Sequence, residues 1–309
     1  MGGLKLDPQD LREAQYVMLK MLKEVDHICC ENHLSYWLDF GSLLGAVRHQ
    51  GFIPWDDDAD ISMMRDDYEK FIKIAPTLLP KDMFLQNLYT DKFTLWNYIR
   101  IRDNNSLALT DEPLLCHQGL SIDIFPIDKL STKKWVRHFW RKVIKRIYIG
   151  CSTFIKYRQR RLKSPFFSYR NLIRNFLILI TKLFGNPSFP NKRVAASIEK
   201  KLRKFAIIQS EETDKFVLGY GICLPFKFTF SYQTVFPLQK LTFEDMKFYV
   251  PNDWDKYLRT LYGDYMQLPK EEDRTQHAVK IIPHLDSTDK EYSFMNWVPK
   301  NESKERIEF

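Results

Sequence analysis

Four aspartates, Asp56, Asp57, Asp58 and Asp60, fall within five consecutive positions, and bulky apolar residues close the run on both sides: Ile53 and Trp55 before it, Ile61 after. Like charges this close repel and raise one another's pKa, so a fold that keeps them together needs either a solvated loop or a bound cation. The apolar flanks argue against the loop. In a strand, side chains two apart share a face, which lets Asp58 and Asp60 grip one cation and turns Asp57 the other way. A calcium loop starting at Asp56 fails, because Ile61 stands at the sixth place, where Gly is needed, and Asp67 at the twelfth, where Glu is expected.

The flanking sequence alternates helix and strand signals. Asp7 as N-cap, Pro8 in the first turn and an apolar stripe from Leu11 to Ile28 predict a helix over 7–31. A strand over 36–40 follows, then Gly41-Ser42, a helical turn over 43–48 and a strand over 58–64. A helix capped by Asp66 or Asp67 turns Tyr68, Phe71 and Ile72 inward, and 95–102 and 120–125 alternate like strands. Further on, 194–208 and 253–262 read as helices, 227–230 and 247–250 as strands, and the last twenty residues as a polar tail. The fold class is therefore α+β, a mixed sheet core flanked by helices.

Charge divides the chain unevenly. Between Lys129 and Arg193 there is no acidic residue, and this segment holds 18 of the 47 Lys and Arg, leaving 29 against 39 acidic residues elsewhere. We expect a catalytic core over 1–128, an inserted basic helical segment over 129–193, and a helical and mixed portion over 194–309 that completes the catalytic lobe. Aromatic residues interleave the basic ones, with Trp135, Phe139, Ile144, Ile147 and Tyr148 marking an apolar face; such a helix suits an anionic membrane surface. The longest apolar run, Phe176 to Ile180, is far too short to span a bilayer. Five cysteines without a CxxC pair fit a reducing compartment. The expected location is cytoplasmic, peripheral on the inner face of the cell membrane.

The stretch from Tyr36 to Ile61, YWLDFGSLLGAVRHQGFIPWDDDADI, resembles the signature of the LicD family, the phosphocholine transferases and fukutin-related proteins of the nucleotidyltransferase superfamily. The likeness continues through RDDYEKF (Arg65–Phe71), IRDNN (Ile101–Asn105), IDIFPID (Ile122–Asp128) and LYGDYMQLP (Leu261–Pro269), in family order and leaving out chiefly the basic segment. It implies a nucleotidyltransferase-like core and transfer of phosphocholine from CDP-choline, with CMP leaving. The acceptor would be a hydroxyl of a glycan or lipid-linked glycan, of teichoic acid or lipopolysaccharide type. A CDP-ribitol or CDP-glycerol donor is the alternative. A sugar transferase is discounted because only 55 residues, about half of them in one predicted helix, precede the acid run. A membrane or nucleic-acid adaptor would keep its salt-sensitive binding after Asp58→Ala with Asp60→Ala; a nucleic-acid partner is not expected.

The residues make chemical sense in those roles. Asp123 shares a strand face with Ser121 and Phe125, so it can add a third carboxylate to Asp58 and Asp60. Three carboxylates and two Mg²⁺ or Mn²⁺ ions would neutralise phosphates and clamp an in-line displacement. Asp123 is favoured as general base over a purely ligating role. Gly41 and Ser42 offer backbone N–H groups and a hydroxyl to a phosphate. Arg48 and Arg102 can grip its non-bridging oxygens. Asp39 and His49 join them as substrate-binding candidates with open roles, and Trp37, Trp55, Trp96 and Tyr98 could cage a quaternary ammonium.

Overall fold

A computed structural model of the chain describes residues 6–286, except 92–93, 95–97, 111–115, 141, 143–199, 202, 205 and 221–227. Helix α1 (Pro8–Glu31) begins where the cap signal predicts: Asp7 accepts from the N–H groups of Gln9 and Asp10. Its buried stripe, Leu11, Ala14, Met18, Met21, Leu22, Val25 and Ile28, joins the main core, each such side chain contributing roughly 1.5–3 kcal/mol of hydrophobic stabilisation.

Strand β1 (Tyr36–Leu38) is shorter than predicted, because Asp39 leaves it to cap helix α2 (Phe40–His49). Helix α2 therefore starts earlier than predicted and takes in Gly41 and Ser42. Strand β2 (Ala59–Met64) begins just after Asp58 and runs directly into α3 (Arg65–Leu78). No side chain caps α3. Asp66 and Asp67 lie in its first turn, and Asp67 accepts instead from the Ser35 N–H at 3.1 Å.

Strands β3 (Met83–Gln86), β4 (Ile99–Asp103), β5 (Leu107–Leu109) and β6 (Ser121–Ser131) follow. The main sheet runs β1-β2-β6-β4-β3, with β2 parallel to β6 and the other neighbours antiparallel. Strand β6 extends well past Phe125, through the 128/129 boundary drawn from charge. Its far half pairs with β7 (Phe216–Gly219), which pairs with β8 (Thr229–Phe230). A helical turn (Tyr232–Val235), the hairpin β9 (Gln239–Phe243) and β10 (Met246–Val250), and α4 (Trp254–Tyr262) complete this region, and β11 (Lys280–Ile282) pairs with β5. The architecture is a mixed α+β fold.

Of the basic segment, the described residues are helical over 134–140, where Trp135 and Phe139 are 69% and 56% exposed. Ile144, Ile147 and Tyr148 lie outside the described residues, as do most of the predicted 194–208 helix, Cys151, Cys223 and the polar tail. Among the described residues no helix is long and apolar enough to cross a membrane.

Candidate active site

The sheet register brings the acidic residues together. On one face the row Ile61, Ile124 and Ile99 crosses β2, β6 and β4 and is buried in the core; in the adjoining register Asp60, Asp123 and Arg100 are neighbours across the same three strands. A period-two alternation thus turns the apolar half of each strand inward and the charged half to the site.

Asp60 is fixed from both sides of its backbone. Its N–H donates to Ser42 Oγ at 2.9 Å, and its carbonyl accepts from the Asp39 N–H at 3.0 Å. Asp39 in turn anchors the junction of β1 and α2. Its fully buried carboxylate accepts from the Phe40 N–H, Ser62 Oγ, Tyr220 Oη (2.9 and 2.8 Å) and Tyr257 Oη (3.0 Å). Burial raises its pKa to about 6, against the downward pull of those hydrogen bonds. Phe40 itself has φ of 41°, a left-handed conformation that costs about 1–3 kcal/mol. Its ring is held by Phe125, edge-on at 5.2 Å, and Tyr220, stacked at 5.0 Å.

Each carboxylate of the acid run has a different fate. Asp56 packs against the first turn of α2, where a Cβ on Gly41 would strike its oxygen. Asp57 is buried and accepts from the N–H groups of His277 (3.0 and 2.9 Å) and Ala278 (2.6 Å). Asp58 is 27% exposed and faces His277 Nδ1 at 3.5 Å. Asp60 is only 8% exposed, and no hydrogen bond or ion pair reaches its carboxylate among the described residues. Asp123 accepts from Arg100 at 2.6 Å, Tyr98 Oη at 3.0 Å and Ser121 Oγ at 3.2 Å.

The electrostatics follow. Burial first, and then Asp58, Asp123 and Asp56, push Asp60 well above the usual carboxylate range. Burial lifts Asp58 to about 6, with His277 opposing and Asp123 and Asp57 reinforcing. The bond to Asp57 leads in raising His277 to about 9. Against the downward pull of burial, Asp123 and Tyr98 keep the Arg100 guanidinium above its ordinary value.

Other residues singled out in the sequence occupy different places. Gly41 lies against the Asp56 carboxylate, and Ser42 Oγ accepts from the Asp60 N–H, so both adjoin the acid run. Arg102 shares the strand face of Arg100 but lies two register pairs further on, opposite Ser121. There it is buried and donates to Gln86 Oε1 at 2.9 Å and the Gly119 carbonyl at 2.6 Å. Arg100, which the sequence reading passed over, takes the place beside Asp123.

Arg48 donates to the Tyr265 carbonyl at 2.8 Å, and His49 packs edge-on to Trp55. Trp37 is a core residue bonded to Tyr257, Tyr98 is held by Asp123, and Trp96 lies outside the described residues. Tyr262, at the end of α4, was also missed. Burial and then Asp60, Asp39, Asp56 and Asp58 raise its phenol. A cavity of about 890 Å³ lies elsewhere, lined by His33, Tyr232, Phe236 and Tyr249 among others and by none of the acid cluster.

A nearly buried carboxylate crowded by like charges, with no cationic partner and its oxygens still open to solvent, would be relieved by an external cation. Asp60 and the half-open Asp58 therefore suit a divalent ion. Asp123 is a neighbour whose oxygens are already engaged, and among the described residues no three His, Cys, Asp or Glu side chains are gathered into a ligand cluster.

Residues 33–166 match the family model described as "LicD/FKTN/FKRP, nucleotidyltransferase domain". The match reaches into the basic segment, which the sequence motifs had set outside the family signature. The chain is 28% identical over 280 residues to the lipopolysaccharide cholinephosphotransferase LicD of Haemophilus influenzae, covering 87% of this chain and 96% of that one. It is 25% identical over 119 residues to the ribitol 5-phosphate transferase FKRP of Mus musculus, covering 38% of this chain and 24% of that one. A 34-residue stretch is 56% identical to the FKRP of Homo sapiens, 11% of this chain and 7% of that one.

Proposed function

The chain belongs to the LicD family, and from that premise we propose that it transfers phosphocholine from CDP-choline to a hydroxyl of a cell-surface glycan precursor, of teichoic acid or lipopolysaccharide type, releasing CMP. The observation that carries this reading is the nearly buried, partnerless carboxylate of Asp60, set beside Asp58 and Asp123. Such a site invites a cation and, through it, a nucleotide diphosphate. Asp58 and Asp60 would hold Mg²⁺ or Mn²⁺, which supplies neutralisation of phosphate charge.

In the transfer, the acceptor oxygen forms a bond to the choline-bearing phosphorus while the bond from that phosphorus to the oxygen of CMP breaks. The acceptor proton passes to a carboxylate of the cluster. With Asp58 and Asp60 given to the cation, Asp123 is the carboxylate left for this task. Arg100 keeps Asp123 oriented.

The similarity to ribitol 5-phosphate transferases supports a second donor class, CDP-ribitol or CDP-glycerol. CMP release measured with CDP-choline, CDP-ribitol and CDP-glycerol, each with Mg²⁺ and with Mn²⁺ and a phosphorylated glycan acceptor, separates the donors. Turnover is expected with CDP-choline and absent in Asp58→Ala with Asp60→Ala. Wild-type protein that releases CMP from none of the three overturns the reading.

A further inference from the structure

Three buried nitrogen atoms near the acid run have no hydrogen-bond partner among the described residues: Arg48 Nε, His49 Nδ1 and Arg274 Nε. Two of them belong to side chains that meet on one indole. The Arg274 guanidinium lies over the Trp55 ring, 4.2 Å from its centroid, and the His49 imidazole meets the same ring edge-on at 6.3 Å. Arg48 precedes His49 and is tethered through Nη1 to the Tyr265 carbonyl, leaving its Nε unused. The acidic neighbour of Arg274, Glu271, comes no nearer than 3.6 Å and touches Nη1, not Nε. Trp55 directly precedes Asp56, so the ring that gathers Arg274 and His49 is next in the chain to the acid run.

A buried donor left unpaired is destabilising. Two arginines and a histidine that share this defect at one edge of a cation-seeking site have a common remedy, an incoming ligand rich in acceptor oxygens. Stacking on Trp55 fixes the plane of the Arg274 guanidinium, which presents its fork of donors in one direction and lowers the entropy lost on binding. Burial and the charge of Arg48 depress the His49 pKa. The imidazole is therefore neutral at pH 7 and can donate from one nitrogen without adding a third full charge.

We propose that Arg274, held flat on Trp55, forms with His49 and Arg48 an oxyanion subsite beside the carboxylate cluster, and that Arg274 is its specificity-determining residue. The ligand class is a phosphate-type oxyanion. It can come from the diphosphate of the donor, in which case the inference rests on the reading given above, or from a phosphate on the acceptor glycan. Sequence motifs point to Arg48 and His49 only. Arg274 lies more than 200 residues away and is placed by the fold.

The test is calorimetric binding of CDP, cytidine and inorganic phosphate to the full chain with Mg²⁺ present, phosphate being titrated both alone and onto CDP-saturated protein. Wild type is compared with Arg274→Gln and Arg274→Lys; both substitutions are half-exposed changes expected to leave the melting temperature within a few degrees. If the donor fills the subsite, Arg274→Gln weakens CDP about tenfold or more and leaves cytidine unchanged, and Arg274→Lys recovers only part of the loss, because an ammonium lacks the planar fork.

If the acceptor fills it, CDP affinity holds while phosphate affinity on the CDP-saturated protein falls by a similar factor. Should Arg274→Gln fail to fold, Arg48→Gln carries the same two expectations. CDP and phosphate affinities both within twofold of wild type in the variant overturn the subsite. Wild-type protein that binds phosphate but no CDP overturns the donor assignment alone, and the phosphate arm then decides the subsite. Wild type that binds neither overturns both.

Discussion

Asp39 and Asp60 are joined by a backbone hydrogen bond and both lie in the interior, yet the protein treats them oppositely. Around Asp39, a helix N-terminus, a serine and two tyrosines from distant parts of the chain supply every hydrogen bond that the carboxylate needs. Around Asp60, the fold supplies more carboxylates. The first region solves its buried charge internally and so is part of the scaffold. The second gathers like charges instead, which raises its carboxylates above their ordinary range.

The contrast breaks most sharply under Asp60→Asn. We expect transferase turnover to fall by about a thousandfold, while the metal-free protein unfolds at the same or a higher temperature, since an uncompensated charge has been removed. Added Mg²⁺ or Mn²⁺ should raise the melting temperature of wild type and lose most of that effect in the variant. Activity and melting temperature that fall together would mean that Asp60 belongs to the scaffold after all.

Asp39→Ala should do the reverse. It strands the hydroxyls of Ser62, Tyr220 and Tyr257 and removes the cap of α2, at a cost of about 3 kcal/mol or more. A urea denaturation midpoint close to wild type would remove the distinction between the two regions.

The pH response sharpens the comparison further. Asp58 titrates at about 6 in the fold, above its ordinary 3.8. A carboxyl raised in the folded state adds stability below its unfolded pKa and loses it as pH climbs through the folded value. The metal-free protein should thus lose stability between about pH 4 and 6, and Asp58→Asn should flatten part of that slope in a series of melting curves. Asp39, also raised to about 6, and Asp56 and Asp60, both pushed well above the ordinary carboxylate value, supply the remainder.

The smallest effect belongs to His277, which is raised from 6.5 to about 9 with a side chain 68% exposed and so well screened. Its contribution is complete below pH 6.5 and fades as pH rises through 9. His277→Gln should slightly flatten the stability profile over that window, and an unchanged profile would show the imidazole contact with Asp57 to be incidental.

What the sequence exposed were the features with a local signature. Helix α1 was legible because its cap, proline and apolar stripe all agree within one segment. The acid run was legible because four carboxylates cannot crowd together without a reason, and Asp123 because it alternates with two isoleucines that must face the core. The arginine beside it was not, since Arg100 and Arg102 lie on the same strand face and only the register with β6 decides which meets Asp123. Tyr220, Tyr257, Arg274 and His277 were beyond reach for a related reason. They come to the site from β7, α4 and the segment before β11, and no local pattern marks a residue whose partner is some 180 to 220 positions away. The strand predicted through Phe40 failed because cap chemistry at Asp39 outweighed the β-propensity of its aromatic neighbour.

The backbone clasp of Asp57 on residues 277 and 278 also sets an order of events during synthesis. A nascent chain can lay down α1, β2 and β6 as they leave the ribosome, but until position 278 emerges one more aspartate stands bare in an already overcharged loop. The acid loop can take its final shape only then, so its geometry is among the last parts of the fold to be fixed.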